Sequence, residues 1–313
     1  MTIKLKDFVL IALVLLFAFG VPMNWALAQD KTFIVGFPQD NMANDWRRAQ
    51  VMAVEAELRM HPGYTFVHSD AQGDTAKNIQ DIEDMIDRGI DLLIVSPRDT
   101  AAMTPVIANV RAQGIPVVLL TRRILTNDYT TFVSPNDDKI ARRAATYMAE
   151  QLNGAGKILV LQGVPTASTA IKRTEGFLDE IAKYQNIKVV AVRPANYLRS
   201  EAIKVVETVL DEGLSFDAIY AQSDSMATGA RLALKAANID PKSKLIVGID
   251  YIPEAREAIR AGEQNATFTY PTSGKEGAQL AVQILQGQAV EREIEVHSEM
   301  VTIFNVETIE PVF

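Results

Sequence analysis

The chain has 313 residues, room for two domains, and its 48% hydrophobic and 22% charged residues are an ordinary globular balance. A net charge of −8 and a pI near 5.1 argue against a nucleic-acid binder, which presents a basic face. With no cysteine and three scattered histidines (His61, His68 and His297), the sequence offers no disulfide framework, thiolate nucleophile or metal cluster.

At the N-terminus, Lys4 and Lys6 precede an apolar run from Phe8 to Val21, followed by Pro22 and Ala26-Leu27-Ala28. A basic start, a short apolar core and a small-x-small ending predict a secretory signal peptide cleaved after Ala28. An uncleaved anchor is the alternative, but the run has about 14 residues where a spanning helix needs roughly 20. No cysteine near the cleavage site supports lipid attachment.

From Thr32 onward, strands and helices alternate. Strands are expected over Thr32–Phe37, Tyr64–Ser69, Leu92–Ser96, Ile115–Leu120 and Thr131–Ser134. Helices are expected over Asp45–Met60, Thr75–Arg88 and Ala102–Gln113. The first of these carries an apolar stripe of Ala49, Met52, Ala53, Ala56 and Leu58. The pattern then restarts, with strands over Lys157–Gln162, Ile187–Arg193, Ala218–Ala221, Lys244–Gly248 and Ala266–Tyr270. Its helices span Lys139–Leu152, Ile171–Lys183, Ser200–Asp211, Ser225–Ala237, Ile252–Ala261 and Gly274–Gln286. Glu293–His297 reads as extended and Val301–Val306 as a last strand. Continuous apolar strands with intervening helices predict parallel sheets covered on both faces. The fold class is α/β, with one doubly wound architecture used twice and no sequence repeat between the halves.

Gly36 to Arg48 gathers polar groups, Trp46 and two arginines at the carboxyl end of the first strand, where open α/β sheets bind small molecules. A nucleotide enzyme would share the alternation, but G-x-G-x-x-G is absent after that strand. No phosphate loop or G-x-S-x-G elbow occurs either. Asn153-Gly154-Ala155-Gly156-Lys157 enters a strand rather than leaving one, so it stops a helix.

Seven fragments in order carry a resemblance. They are Ile34-Val35-Gly36-Phe37 with Asp45-Trp46-Arg47, Ile115 to Arg122, Leu161-Gln162-Gly163, Arg173-x-x-Gly176-Phe177, Ala221 to Ala230, Val247-Gly248-Ile249-Asp250 and Ala266-Thr267-Phe268. Across the whole mature chain they resemble bacterial periplasmic sugar-binding proteins of the ribose and galactofuranose type, which serve ABC importers. The Gln39…Trp46-Arg47 form is closer to the galactofuranose branch. The resemblance implies two doubly wound lobes joined by three crossing segments near Ser134, Tyr270 and Met300. The N-terminal lobe is then 29–134 plus 271–300, and the C-terminal lobe 135–270 plus 301–313.

It also implies the ligand-binding residues. Trp46 and Tyr197 match the aromatic positions that stack on sugar faces, which suits their apolar ring surface; as core residues they would instead anchor helices. Arg47, Arg122 and Arg173 match donors to ligand oxygens, a role suited to a guanidinium fork, with surface charge as the bland alternative. Asp250 matches the carboxylate that accepts from sugar hydroxyls. Gln39, Asp45, Ser223, Asp224 and Tyr270 occupy further cleft positions.

Thr121 stands where the family commonly has Asp, and Ser223 where it commonly has Asn. Thr121 thereby removes a negative charge beside three arginines, which favours a sugar acid or other anionic polyol. The implied function is a periplasmic receptor that binds a monosaccharide or related polyol and delivers it to an inner-membrane ABC permease. It acts as a monomer, with no catalytic residue, cofactor, metal or nucleic acid. A receptor for a chemoreceptor or sensor kinase is the alternative. A repressor of the shared fold would need a helix-turn-helix where the signal peptide stands, and an exported enzyme would need a nucleophile or metal motif.

Overall fold

The computed structural model describes residues 32–313, so the signal peptide and its cleavage site lie outside the described residues. Strand β1 (Phe33–Gln39) is parallel to β2 (Tyr64–Asp70) on one side and β3 (Leu92–Val95) on the other. Strands β4 (Val117–Leu120), β5 (Thr131–Ser134) and β11 (Glu293–Glu295) extend the first sheet in the order β2-β1-β3-β4-β5-β11, all parallel. The second sheet runs β7-β6-β8-β9-β10-β12. It is built from β6 (Ala155–Gln162), β7 (Asn186–Pro194), β8 (Ala218–Ala221), β9 (Leu245–Val247), β10 (Ala266–Phe268) and β12 (Met300–Thr302).

Helices α1 (Asp45–Leu58), α2 (Thr75–Asp87), α3 (Thr100–Ala112) and α9 (Gly274–Leu285) cover the first sheet, whose central strands β3 and β4 are buried at every residue. Helices α4 (Asp137–Gln151), α5 (Ser168–Ile181), α6 (Arg199–Asp211), α7 (Asp224–Ala236) and α8 (Pro253–Arg260) accompany the second. Buried strands need helices on both faces, which is why their sequences run continuously apolar. Among the described residues, no helix is long and apolar enough to cross a membrane.

The chain crosses between sheets three times: after Ser134, between Phe268 and Gly274, and between Glu295 and Met300. Tyr270 ties two crossings together, since its hydroxyl donates to Asp137 Oδ2 (3.2 Å) and lies 3.3 Å from Ser134 Oγ.

Four expectations need correction. The sheets are not wholly parallel, because β12 pairs antiparallel with β10. That last strand also stops at Thr302 rather than Val306. The Asn305 side chain accepts from the Thr302 N–H and donates to the Met300 carbonyl, turning the chain. In α1 the buried stripe is Trp46, Arg47, Gln50, Val51, Val54, Glu57 and Leu58, while Met52 is 60% exposed. Apolarity misplaced that face because three of its buried members are polar. Helix starts also shift: α3 and α4 begin two residues earlier than expected, since Asp99 and Asn136 side chains accept from Ala102 N–H and Lys139 N–H as N-caps.

Candidate functional site

In each sheet the strand order reverses once, between β1 and β3 and between β6 and β8. Loops leaving these strands diverge there and open a crevice at the carboxyl edge. The two crevices face each other, and the segments leaving β1, β3, β6 and β8 form the site.

On the first wall, Asn44 caps α1: its Oδ1 accepts from Arg47 N–H (2.9 Å), and its Nδ2 donates across the cleft to the Tyr197 carbonyl (2.7 Å). The cap fixes the first turn, so Trp46 and Arg47 point inward. Arg47 Nη1 donates to Ser96 Oγ (2.7 Å) and Gln50 Oε1 (3.2 Å). Gln39 props this arrangement, with its amide on Gln50 Oε1 and its carbonyl on Asp40 N–H. Asp40 is the common carboxylate of three arginines: Arg122 Nη1 at 2.9 Å, Arg98 Nη1 at 3.5 Å and Arg47 Nε at 3.6 Å. Burial alone would raise its carboxyl, but Arg122 and Arg47 overcome that and hold it below the usual carboxylate value. Burial, and then neighbouring Arg122, pull the Arg47 guanidinium down to about 10, which leaves it charged at neutral pH.

Trp46 is 3% exposed; its Nε1 donates to the Tyr270 carbonyl (2.8 Å) and its ring packs into the core under the second sheet. It is a core anchor and a cavity wall at once.

On the second wall, Arg173 sits one turn into α5, with Nε on Asp137 Oδ1 (2.8 Å), Nη1 on the Gln222 carbonyl and its guanidinium 4.3 Å from the Tyr270 ring. Asn196 and Tyr197 are consecutive non-glycine residues in the left-handed region, at φ 51° and 64°. Each costs of order 1 kcal/mol or more, a cost that persists mainly at functional sites. The turn lays the Tyr197 ring against Gly163, where an added Cβ would lie 1.9 Å from the ring. That is why the Leu161-Gln162-Gly163 fragment needs its glycine.

Asp250 is also held in an unusual backbone state (φ 120°), followed by Tyr251 at φ 58°. Asp224 supports it from behind. The Asp224 carboxylate accepts from Tyr251 N–H, Thr267 Oγ1 and Gln264 Nε2, each at 2.7 Å. Gly248 makes room, since a Cβ there would lie 1.9 Å from Asp224 Oδ1. Burial pushes the Asp224 carboxyl up to about 6 against these bonds. Burial also raises the Asp250 carboxyl well above the ordinary range, against the pull of Arg173.

The two walls meet over a cavity of about 20 Å³ lined by Asn44, Trp46, Arg47, Thr169, Arg173, Tyr197, Asp250 and Tyr270. That volume suits one water, not a sugar. The walls also bond directly: Thr169 Oγ1 donates to the Thr121 carbonyl (3.0 Å), Thr100 N–H to the Thr166 carbonyl (3.0 Å) and Arg123 N–H to Ser168 Oγ (2.8 Å). This is a shut clamp. A crevice of about 310 Å³ on the crossing side, lined by Arg123, Ser134, Asp138, Lys172 and Glu293 among others, touches only Thr121 of the expected residues.

Of the twelve expected residues, Trp46, Arg47, Arg173, Tyr197, Asp250 and Tyr270 come together on this cavity. The other six stand around it. Gln39 and Asp224 serve as props. Ser223 caps α7 by accepting from Met226 N–H (3.3 Å). Asp45 pairs with Arg48 and Arg199 at the rim. Thr121, at φ 62°, faces Ser96 Oγ, and Arg122 lies behind the Tyr197 ring at 5.7 Å. Asn44 and Thr169 in the lining, and Asp40, Arg98 and Asp137 behind it, went unforeseen. Only Asn44 carried a signal, as a cap residue before a helix. Among the described residues, no group of three or more His, Cys, Asp or Glu side chains can hold a metal ion.

Two doubly wound lobes closing over a cleft of arginines, aromatics and a carboxylate define a bilobal solute-binding protein. The chain belongs to the periplasmic binding protein domain family, which matches residues 35–289. It is 30% identical over 279 residues to a ribose import binding protein of Bacillus subtilis, covering 87% of this chain and 90% of the relative. An ABC transporter solute binding protein from Bacillus halodurans with bound myo-inositol superposes at a TM-score of 0.83, with 29% identity over 90% of this chain and 98% of its own. The fructose-binding periplasmic domain of a hybrid two-component system also reaches 0.83, at 31% identity over 88% and 92%.

Proposed function

We propose that the protein is a periplasmic solute receptor that closes its two lobes over a monosaccharide or related polyol and hands it to an ABC permease in the inner membrane. The observation that carries this reading is the cavity itself. Trp46 and Tyr197 offer ring faces to the apolar side of a sugar, Arg47 and Arg173 offer donors, and Asp250 offers an acceptor, all at facing switch points. The lobes are taken as 29–134 with 271–300 and 135–270 with 301–313, after removal of residues 1–28 on export.

Binding is the whole mechanism. A ligand bridging both walls stabilises the closed state, and the permease recognises that state. No bond is made or broken, and no cofactor takes part. The protein acts as a monomer. Presentation to a sensor is a second reading, supported by the likeness to a domain of a two-component system. Uptake of labelled sugar by cells lacking this gene separates the two: loss of uptake supports import, and normal uptake with loss of a transcriptional response supports sensing.

The site is tested by calorimetry against pentoses, hexoses and inositols. Asp250→Ala abolishes measurable binding while the circular dichroism spectrum stays native, and Trp46→Ala abolishes binding with a lowered melting temperature, since its ring is also a core anchor. Unchanged affinity in both overturns the site. Mass spectrometry of the natively exported protein identifies the co-purifying ligand.

A further inference from the structure

The charges around the cavity do not balance. Arg47, Arg98 and Arg122 share a single carboxylate, Asp40, on the first wall. On the second wall, Arg173 has Asp137 at 2.8 Å and shares the cavity lining with Asp250. Four arginines therefore face three aspartates, a surplus of one positive charge. Other charged groups nearby are already matched: Asp45 lies in the rim pairs with Arg48 and Arg199, and Asp224 and Arg231 converge on Gln264 in their own network.

An unmatched charge in so dry a cluster is costly, although Arg98, at its outer edge, keeps 16% of its side chain exposed and sheds part of that cost to water. Two further features share its sign. Arg122 Nε is fully buried with no hydrogen-bond partner. The N-terminus of α5, which brings Thr169 and Arg173 to the cavity, has no side-chain cap at Ala167, so its partial positive charge is uncompensated by any capping group. The Arg47 guanidinium is lowered first by burial and then by its neighbour Arg122, with which it shares Asp40.

We propose that the ligand is a sugar acid, a polyhydroxy compound with one carboxylate, whose charge is taken by Arg47, with Arg122 acting at longer range from behind the Tyr197 ring, and whose hydroxyls are taken by Asp250 and Arg173. A monoanion cancels the surplus, whereas a neutral sugar closes the lobes over it. The planar carboxylate also suits a guanidinium fork better than a single hydroxyl does. This inference rests on the sugar-pocket reading of the site.

The test is isothermal titration at pH 7 with matched series: galactonate and galacturonate against galactose and galactitol, and the gluconate and ribonate sets likewise. The expected result is that at least one acid binds a hundredfold or more tighter than its aldose and alditol. In Arg47→Gln that ratio falls below tenfold. Arg47 is the variant of choice because its direct hydrogen bonds go to neutral Ser96 and Gln50, and Asp40 keeps Arg122. The wild-type titrations stand even where that variant folds poorly. Aldoses or alditols binding as tightly as the acids would overturn the inference and leave the sugar-receptor reading intact. No binding by any member of the series would instead bring down that reading and this inference with it.

Discussion

Asp250 and Asp224 look alike in sequence, each at the carboxyl end of a strand, yet they do opposite work. Asp224 is held by three donors and supports the backbone; Asp250 faces the cavity, and burial raises its carboxyl well above the usual range. A folded-state pKa above the unfolded value near 4 means that its contribution to stability is complete at low pH and is lost as pH rises toward the raised value. Asp250→Asn removes that loss. The variant is therefore expected to melt higher than wild type at pH 7, with the difference vanishing near pH 4, while sugar affinity falls a hundredfold or more. Asp224→Ala strands three donors and is expected to cost about 3 kcal/mol near pH 4 and less at pH 7, because burial raises the Asp224 carboxyl as well, to about 6. Scanning calorimetry across pH 4–7 decides; a lower melting temperature for Asp250→Asn at pH 7 would make Asp250 structural. Asp250 was legible because it closes a motif, Val247-Gly248-Ile249-Asp250. Asp40 was not: nothing in Gln39-Asp40-Asn41 says which carboxylate three distant arginines will share, because Arg98 and Arg122 arrive from other strands. Thr121 looked like the loss of a countercharge, and Asp40 supplies part of it from across the sheet.

At the scale of elements, the βα alternation was readable because strands buried on both faces must be apolar throughout. The inward face of α1 was not. Its first two turns look into the cleft, where Arg47 and Gln50 are buried by pairing with Ser96 and the Thr272 carbonyl rather than by being apolar. Counting hydrophobic residues therefore rotated the helix toward Met52. The correction is measurable. Val54, fully buried against the first sheet, is expected to lose about 2 kcal/mol as Val54→Ala, and Met52→Ala less than about 0.5 kcal/mol. Equal losses in urea denaturation would restore the apolar stripe through Met52. The same reasoning explains the C-terminal strand, where the Asn305 side chain competes with the ladder for Thr302 and Met300, a contest that β-propensity does not register.

For the whole molecule, the decisive fact is that the cavity of about 20 Å³ is too small for any sugar, so ligand entry requires the walls to part. The three crossings leave that possible, because each wall is a complete sheet with its own core and the segments between them are short. What holds the walls together is a small set of contacts, and Asn44 is the one that can be altered most cleanly. Its Oδ1 caps α1, while its Nδ2 donates to the Tyr197 carbonyl on the opposite wall. Asn44→Asp keeps the capping oxygen, since Asp caps a helix as well as Asn does. It also sets a carboxylate oxygen against the Tyr197 carbonyl, which opposes closure alone. A ligand that binds the closed state has its apparent affinity reduced by the fraction of molecules able to close. The expected result is an unchanged urea midpoint, a larger radius of gyration in small-angle scattering without ligand, and an affinity lower by about tenfold, since a hydrogen bond replaced by repulsion is worth about 1–2 kcal/mol. Full affinity in a variant with normal stability would show that the Asn44–Tyr197 bond plays no part in the clamp, and that closure rests on the other contacts between the walls, among them Thr169 with Thr121 and the Trp46 indole with Tyr270.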